Sequence, residues 1–242
     1  MPSPADWISL AQAAENDPGV YAAGLSDLFA KMSSGGGLFG AERIQWFNGG
    51  LFDSADVLSL AAAEILLVDT VSRLDWSQVE PAIFGTLFER GLDPSKRSQL
   101  GAHYTDRASI LRLIEPVVLE PLRRDFAETK ARIVALLAEG KRVTARTRAE
   151  KNPEGLLNAF LERLRAVRVL DPACGSGNFL YLALQALKDL EREAILWGSL
   201  TLQSTMQLPR VGPEVVLGLE LNAYASELAR VCLLYTSDAA DE

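Results

Sequence analysis

The segment Val169–Leu180 constrains the fold more strongly than any other part of the chain. A short apolar run ends there at an acid, continues as Asp-Pro-Ala-Cys-Gly-Ser-Gly-Asn-Phe and leads into an amphipathic stretch. Residues 168–170 have the character of the end of a buried strand, and helical spacing of apolar residues begins at Asn178. We therefore predict a tight connection from Asp171 to Gly177, at the end of a strand where α/β sheets bind ligands.

Two alternatives apply to the role of this loop: no ligand at all, or a dinucleotide. A strand, a glycine turn and a helix occur in every α/β protein and need no ligand, so a glycine pair alone leaves a purely structural role open. The dinucleotide-binding fingerprint requires a third glycine three residues after the second, to place a pyrophosphate at the helix start. This chain has Leu180 at that position, which excludes the fingerprint.

Composition and length restrict the class of protein. The 242 residues, 48% of them hydrophobic, can form one large or two small domains. No apolar run approaches the roughly 20 residues of a membrane span, and the N-terminus lacks the basic start of a secretory signal. We therefore expect a cytoplasmic protein without membrane segments. With two cysteines and one histidine we expect no disulfide framework and no metal site, and we expect Cys174 to pack beneath the loop.

The charge of the chain is unevenly distributed. Its net charge of -8 argues against binding nucleic acid through bulk electrostatics. Between Arg123 and Arg168, however, twelve basic residues stand against six acidic ones, a local excess of six positive charges. This segment is either a solvated helical face or a flank that faces DNA phosphates.

The first hundred residues are predicted to form a helical spacer region. Residues 4–90 have mainly helical character, with Ala-rich stretches such as Val57–Val68. Ser33–Gly40 is predicted to be a flexible break, and the aromatics of Trp46–Phe52 are expected to pack locally around a glycine turn. The polar segment 91–100 is the predicted boundary before a second domain, residues 101–242.

The second domain is predicted to alternate helices and strands. Pro116 is expected to separate two helices, and Thr105 or Asp106 is expected to cap the first of them. The predicted helices cover 107–115, 117–140, 153–166, a segment from Asn178 onward and 223–233, the last capped by Asn222. Residues 197–213 are predicted to be an insertion, and 215–220 a second buried strand.

Glu220 ends that second strand. A carboxylate at this position of an α/β sheet can accept both ribose hydroxyls of a nucleoside cofactor. The alternative is a strand-end acid that faces water. The separation of 49 residues from Asp171 exceeds the usual spacing of about 20.

Several of these segments resemble one family. Asp171–Leu180 resembles motif I of the S-adenosylmethionine-dependent DNA methyltransferases that act on adenine, and His103-Tyr-Thr resembles their motif X. Together with Trp46–Phe52, Pro81–Phe88 and Gly218–Arg230, these motifs are similar to those of the MmeI-like type II restriction-modification methyltransferases, over most of the chain. Gly175 and Gly177 suit such a cofactor, which has no phosphate and needs close approach of backbone to its amino-acid portion.

The resemblance implies an α/β, Rossmann-like methyltransferase domain that is incomplete and preceded by a helical region. The parent protein would transfer methyl from S-adenosylmethionine to adenine N6 in double-stranded DNA, in restriction-modification or phage defence. The residues that the resemblance implies in cofactor binding are Tyr104, Thr105, Asp171, Pro172, Ala173, Cys174, Gly175, Ser176, Gly177, Asn178, Phe179, Glu220 and Leu221.

No catalytic residue is assigned in this chain. The family's Asn-Pro-Pro-aromatic motif is absent from the sequence, and Asn152-Pro153 is followed by Glu154 and precedes motif I. We expect the chain to be truncated, with residues 232–242 resembling translated adapter sequence rather than family sequence, and to be inactive by itself. Two alternatives stay open: a methyltransferase of RNA, protein or a small molecule, and a non-catalytic scaffold of a defence complex.

Overall fold

A computed structural model of the chain separates it into two compact units, residues 1–80 and 81–242. The predicted boundary at residue 100 lies outside the described residues and stays a prediction. The structure describes Leu10, Gln12 and residues 17–40, 42–44, 46, 52–74, 105–139, 152–203 and 207–238.

The first helix of the first unit that the structure describes in full has a well-formed cap. Helix α1 covers Pro18–Ser34, with proline at its first position and the Asp17 carboxylate accepting the Gly19 amide at 2.9 Å. A small antiparallel ribbon follows, in which strand β1 (Leu38–Phe39) pairs with strand β2 (Glu42–Arg43). The sequence predicted a flexible break at 33–40 within a mainly helical region, so both strands of this ribbon were missed.

Helix α2 covers Ala62–Ser72, so the helix begins five residues later than the Ala-rich stretch from Val57 suggested. Its start is fixed by the Glu64 carboxylate, which accepts the Ala61 amide at 2.7 Å. The apolar contacts of this unit form two small clusters. The first contains Tyr21, Leu25 and Ile65, and the second contains Leu28, Met32, Phe39 and Ile44.

The aromatics around the predicted glycine turn behave differently from each other. Phe52 packs on Phe29 of α1 with ring centroids 5.0 Å apart, which agrees with the expected local packing. Trp46 is 60% exposed.

The described part of the second unit starts with one uninterrupted helical run. Helix α3 (Arg107–Ile114), a π-helical turn (Glu115–Leu119) and helix α4 (Glu120–Ala138) follow each other without a break. The predicted interruption at Pro116 was therefore wrong. In the wider turn the Glu120 amide donates to the Glu115 carbonyl, five residues back, and this local adjustment accommodates a proline that cannot donate a hydrogen bond.

Helix α5 covers Pro153–Ala166, the range that the sequence predicted. Asn152 is its N-cap and accepts the Glu154 amide at 3.1 Å, so this Asn-Pro pair has a structural role at a helix start. Helix α5 packs against α4 through the stacked rings of Phe160 and Phe126, 4.9 Å apart.

Two short parallel strands come after α5 in the chain. Strand β3 (Val169–Asp171) pairs with strand β4 (Val216–Gly218), and a single turn of 3-10 helix (Pro213–Val215) precedes β4. Helix α6 (Asn178–Leu202) connects the two strands, and helix α7 (Ala223–Asp238) follows β4. The described part of this unit is thus a set of helices with a small parallel sheet packed on α6. Leu170 and Leu217 are about half exposed, so the prediction that both strands are buried was only partly right.

Helix α6 is longer than predicted. Residues 197–202 were expected to begin an insertion, but they continue the helix because its buried stripe extends through Ala194, Ile195 and Gly198. The helix ends where Gln203 adopts a left-handed conformation with φ 50°. The one large apolar core of this unit has α6 at its centre, and α3, α4 and α5 pack around it.

Candidate functional site

The two strand ends are joined by backbone hydrogen bonds beyond the strands themselves. The Leu219 amide donates to the Asp171 carbonyl at 2.9 Å, and the Cys174 amide donates to the Leu219 carbonyl at 3.0 Å. The loop after β3 is therefore fixed to the segment after β4. Because the strands are parallel, both segments lie at the same edge of the sheet.

Glu220 contacts the predicted loop directly. Its Oε2 accepts the Gly175 amide at 2.8 Å, across 45 residues of sequence, and its Oε1 accepts the Asn222 amide at 2.8 Å. Asn222 in turn caps α7 as predicted, accepting the Ala225 amide at 3.0 Å. The loop and the strand-end acid, predicted separately from the sequence, thus form one site.

The two glycines of the loop have different surroundings. Gly177 has φ +86°, and a Cβ there would lie 2.9 Å from the Cβ of Ala229 on α7. Gly175 has φ +55°, and a Cβ there would meet no atom within 4 Å. Both positions favour glycine by conformation. Only Gly175 faces open space where a ligand could approach, whereas Gly177 allows the loop to pack on α7.

Cys174 lies beneath the loop. Burial, together with the negative charges of Asp171 and Glu220, raises the pKa of its thiol to about 11. A Cβ on Gly218 would lie 2.7 Å from the Cys174 sulfur, so β4 approaches the loop as closely as a glycine permits. Cys174 is therefore a protonated packing residue at neutral pH, in agreement with the sequence analysis.

Asn178 begins α6 directly after the loop. Its side chain is 9% exposed, and its Oδ1 is buried without a hydrogen-bond partner. A buried polar atom without a partner is uncommon in a folded protein and needs an explanation. Its position at the start of a 25-residue helix, where free backbone amides are concentrated, adds a second polar feature to the same place.

The other predicted loop residues are arranged around these groups. The Asp171 Oδ1 accepts the Ala173 amide at 3.0 Å and closes a local turn. Phe179 packs against the large core. Ser176 is half-buried, and the exposed positions are Pro172, Ala173 and Leu221.

The predicted motif X falls only partly within the described residues. Tyr104 lies outside them, and Thr105 is half-buried just before α3. Of the two candidate caps, Asp106 is the one used: its Oδ1 accepts the Ser109 amide at 3.0 Å. Hydrogen bonds from the Ser109 hydroxyl and amide lower the pKa of the Asp106 carboxyl.

Sequence analysis missed the most buried charged residue among those that the structure describes in this unit. Glu191, on α6, is 0% exposed and accepts hydrogen bonds from Arg165 Nε at 2.9 Å and from the Arg210 and Val211 amides at 2.8 Å each. It joins the end of α5, the middle of α6 and the segment that leads to β4. The signal available in the sequence was an acid one residue after Leu190, inside the apolar stripe of α6.

Most of the described basic residues between Arg123 and Arg168 have intramolecular partners. Of the seven that the structure describes, five make such contacts: Arg123 with Glu115 and Glu193, Lys130 with Glu193, Arg163 with Asp125, Arg165 with Glu162 and Glu191, and Arg168 with the carbonyls of Arg165 and Val167. These contacts favour a solvated helical face over a phosphate-binding flank for the described part of the segment.

Two kinds of feature are absent from the described residues. None of the described helices is long and apolar enough to cross a membrane. In the same part of the chain, no three His, Cys, Asp or Glu side chains are grouped in a way that could hold a metal ion.

Comparison with known proteins finds a similarity to DNA methyltransferases in this part of the chain. Residues 144–241, which contain both strands, the loop and Glu220, match the family model of a DNA-methyltransferase domain. The model is that of the MmeI domain, so the resemblance predicted from the sequence motifs is confirmed.

Curated relatives and a solved structure extend the match. DNA methyltransferase A of Bacillus subtilis (strain 168) is 27% identical, with 79% of this chain and 20% of that protein covered. The putative type II restriction enzyme and methyltransferase RM.MjaORFECS2P of Methanocaldococcus jannaschii is 25% identical, with 78% and 18% covered. The chain spans about a fifth of the length of these relatives.

The type IIL restriction-modification enzyme MmeI, solved in complex with DNA, is similar in structure. The TM-score is 0.66 at 28% sequence identity, and the match covers 91% of this chain and 29% of the MmeI chain. The similarity therefore extends over the fold as well as the sequence motifs.

Proposed function

We propose that this chain is the cofactor-binding part of a Rossmann-like DNA methyltransferase that uses S-adenosylmethionine. The observation that carries the proposal is the hydrogen bond from the Gly175 amide to the Glu220 carboxylate, because it joins a glycine loop and a strand-end acid at one edge of a parallel sheet. In α/β folds this edge is where nucleoside cofactors bind.

The chemistry of the site suits a cationic cofactor. The loop Asp171–Phe179 contains no lysine or arginine. The negative charges of Asp171 and Glu220 both raise the pKa of the Cys174 thiol, which shows that the site is electronegative. Such a site favours a sulfonium and an ammonium group over a pyrophosphate. The open side of Gly175 gives room for close approach, and the buried Oδ1 of Asn178 is an acceptor without a partner.

Each part of the site then has a role. Residues 171–179 bind the methionine end of the cofactor, and the Glu220 carboxylate binds the ribose hydroxyls, with the exposed Leu221 beside the adenosine. Tyr104 and Thr105 contribute a further contact that the resemblance implies. When bound, S-adenosylmethionine supplies an electrophilic methyl group, and the residues of this chain only bind and orient it.

For the acceptor we propose adenine N6 in double-stranded DNA. Support comes from the motif I resemblance to adenine-methylating enzymes and from the matched MmeI structure, which holds DNA. Enzymes of this kind rotate the target base out of the duplex to reach its amino group. Asn-Pro-Pro-aromatic is absent from this sequence, so we assign the clamp for that base to none of its residues. We place the parent in the cytoplasm, in restriction-modification or phage defence.

The cofactor role is tested by binding. We expect 15N-labelled chain to show chemical-shift changes at Gly175 and Asn178 on titration with S-adenosylmethionine, with weak affinity. In the complete parent, Glu220→Ala should lose about 1.5–3 kcal/mol of binding free energy for each charged hydrogen bond removed. Calorimetry that finds the same affinity in both forms would remove Glu220 from the site.

The acceptor is tested separately with radiolabelled cofactor. We expect the chain alone to transfer no methyl group to DNA, and the parent protein to label adenine N6 in duplex DNA. Labelling of RNA, protein or a small molecule instead would move the parent to another class of methyltransferase. Lack of binding and of transfer by the parent would support a scaffold role.

A further inference from the structure

Glu220 makes two backbone hydrogen bonds in addition to the contacts that a ribose would require. Its Oε2 accepts the amide of Gly175 in the loop, and its Oε1 accepts the amide of Asn222 before α7, both at 2.8 Å. The two donors belong to different segments of the chain. One side chain thus connects the loop after β3 to the start of the helix after β4.

These contacts leave the carboxylate able to bind a ligand. An ionised carboxylate offers about four lone-pair positions, and the two amides use two of them, one on each oxygen. A vicinal diol donates two hydrogen bonds, which matches the remaining capacity. A ribose can therefore bind without displacing either backbone amide.

The loop has a physical need for such a contact. Gly175 and Gly177 both have positive φ, and Gly177 is held by its packing on Ala229. On the open side of Gly175, no atom lies within 4 Å of the position that a Cβ would take. The backbone bonds of Cys174 and Gly177 hold the residues on either side, and the hydrogen bond to Glu220 holds the Gly175 amide itself.

We propose that Glu220 is a positioning residue for this loop, in addition to its role toward the ribose. Its carboxylate fixes Gly175 before any ligand is present, and it thereby strengthens contacts at the methionine end of the cofactor, which Glu220 itself does not touch. A loop that is already ordered does not lose further conformational freedom on binding, which raises affinity. The inference rests on the proposed cofactor role of the site.

The first test uses the ligand-free chain of 242 residues. Amide hydrogen exchange at Gly175 and Asn222 is measured by NMR in the wild type, in Glu220→Ala and in Glu220→Gln. We expect about tenfold faster exchange at both amides in Glu220→Ala, as for loss of a hydrogen bond to a charged group. The carboxamide of Glu220→Gln keeps one acceptor oxygen, so protection of one amide should return.

Glu214→Gln is the matched control for this test, because it removes an exposed carboxylate just before β4. It should leave exchange at both amides unchanged, and all variants should keep the wild-type exchange rate at Val216 in the strand. Unchanged exchange at Gly175 in Glu220→Ala would overturn the proposal.

The second test separates positioning from direct ribose contact. Affinity is measured for S-adenosylmethionine and for an analogue that lacks both ribose hydroxyls. If Glu220 acted only through the hydroxyls, Glu220→Ala would not change the affinity for the analogue, and that result would overturn the proposal. We expect a loss of several-fold with the analogue and a larger loss with S-adenosylmethionine.

The two tests fail independently. If the wild-type chain and the complete parent bound neither ligand, the proposed cofactor function would be wrong and so would the inference drawn from it. The exchange measurement would still report whether Glu220 holds the loop, because it uses no ligand.

Discussion

Glu191 in the core of the second unit and Glu220 at the edge of its sheet differ in how many hydrogen-bond donors their carboxylates already accept. Glu191 is fully buried, and three donors occupy it: the Arg165 side chain and the Arg210 and Val211 amides. Glu220 is partly exposed and accepts only two backbone amides among the contacts described. The core glutamate has little acceptor capacity left, whereas the edge glutamate keeps one lone pair on each oxygen for a ligand.

This difference indicates what each region contributes. Glu191 fixes the approach to β4, and its side chain is closed to solvent, so its effect is on stability. Glu220 fixes a loop that remains open on one side, so its effect is on binding. Variants in the core should therefore change the free energy of unfolding, and variants at the edge should change ligand affinity.

The largest effect is expected for Glu191→Ala. The variant removes the buried carboxylate partner of Arg165, leaving only the exposed Glu162, and it removes the acceptor for two backbone amides. Loss of one partner of a buried ion pair costs about 3–5 kcal/mol of unfolding free energy. Urea denaturation of the chain measures this loss.

Glu193→Gln is the control for that prediction. Glu193 lies on the same helix, is 47% exposed and pairs with Arg123. An exposed ion pair contributes about 0–1 kcal/mol, so this variant should unfold close to the wild-type midpoint. Equal stability losses in the two variants would break the proposed distinction between core and surface carboxylates.

Gly177→Ala tests the side of the loop that faces the core. The new Cβ would lie 2.9 Å from that of Ala229, and alanine would have to adopt φ +86°. Left-handed backbone costs about 1–2 kcal/mol and overpacking about 1–3 kcal/mol. We therefore expect a loss of about 2–5 kcal/mol in urea denaturation, and a smaller loss when Ala229→Gly removes the opposing methyl group.

Gly175→Ala tests the open side of the same loop. Alanine there meets no atom within 4 Å, so only the left-handed conformation contributes, about 1–2 kcal/mol. The added methyl group enters the space assigned to the cofactor, and S-adenosylmethionine binding should fall at least tenfold by NMR titration. A variant that is only mildly destabilised and binds normally would place the cofactor elsewhere.

The loop and its flanks could be predicted from the sequence because their signals are local. The start of α6 at Asn178, the range Pro153–Ala166 and the cap at Asn222 all follow from turn residues and helical spacing over a few positions. The continuity through Pro116 could not be predicted, since it depends on a wider helical turn that a proline alone does not indicate.

The site was predictable in its components but not in its contacts. Asp171 and Glu220 could each be identified at a strand end. The bond between Gly175 and Glu220, and the different tasks of Gly175 and Gly177, depend on the pairing of β3 with β4 and on the position of α7. These are tertiary features, and no short stretch of sequence encodes them.

A smaller effect is expected from pH. Burial raises the pKa of Cys174 and of Cys232 from 9.0 to about 11 each. An unfolded chain releases these protons near pH 9, whereas the folded chain retains them. The contribution of the two thiols to the free energy of unfolding is therefore fully present below pH 9 and is lost as the pH rises towards 11. Urea midpoints at about pH 8 and about pH 10.5 measure the decrease, which should be smaller in Cys232→Ala. An equal decrease in that variant would assign the effect to other groups.

The smallest effect on stability is expected for Asn178→Ala. The variant is informative because stability and cofactor affinity should change differently. The buried Oδ1 of Asn178 has no partner, so the side chain carries a desolvation cost that its removal relieves. We expect the free energy of unfolding, measured by urea denaturation, to change by less than about 1 kcal/mol. If the atom accepts a hydrogen bond from the cofactor, affinity for S-adenosylmethionine should fall roughly tenfold in the same variant, because a bound donor would lose its acceptor.

Asn158→Ala, on the exposed face of α5, is the matched asparagine control and should bind the cofactor as the wild type does. A large stability loss without a change in affinity would instead assign Asn178 to the core, on the same side of the comparison as Glu191.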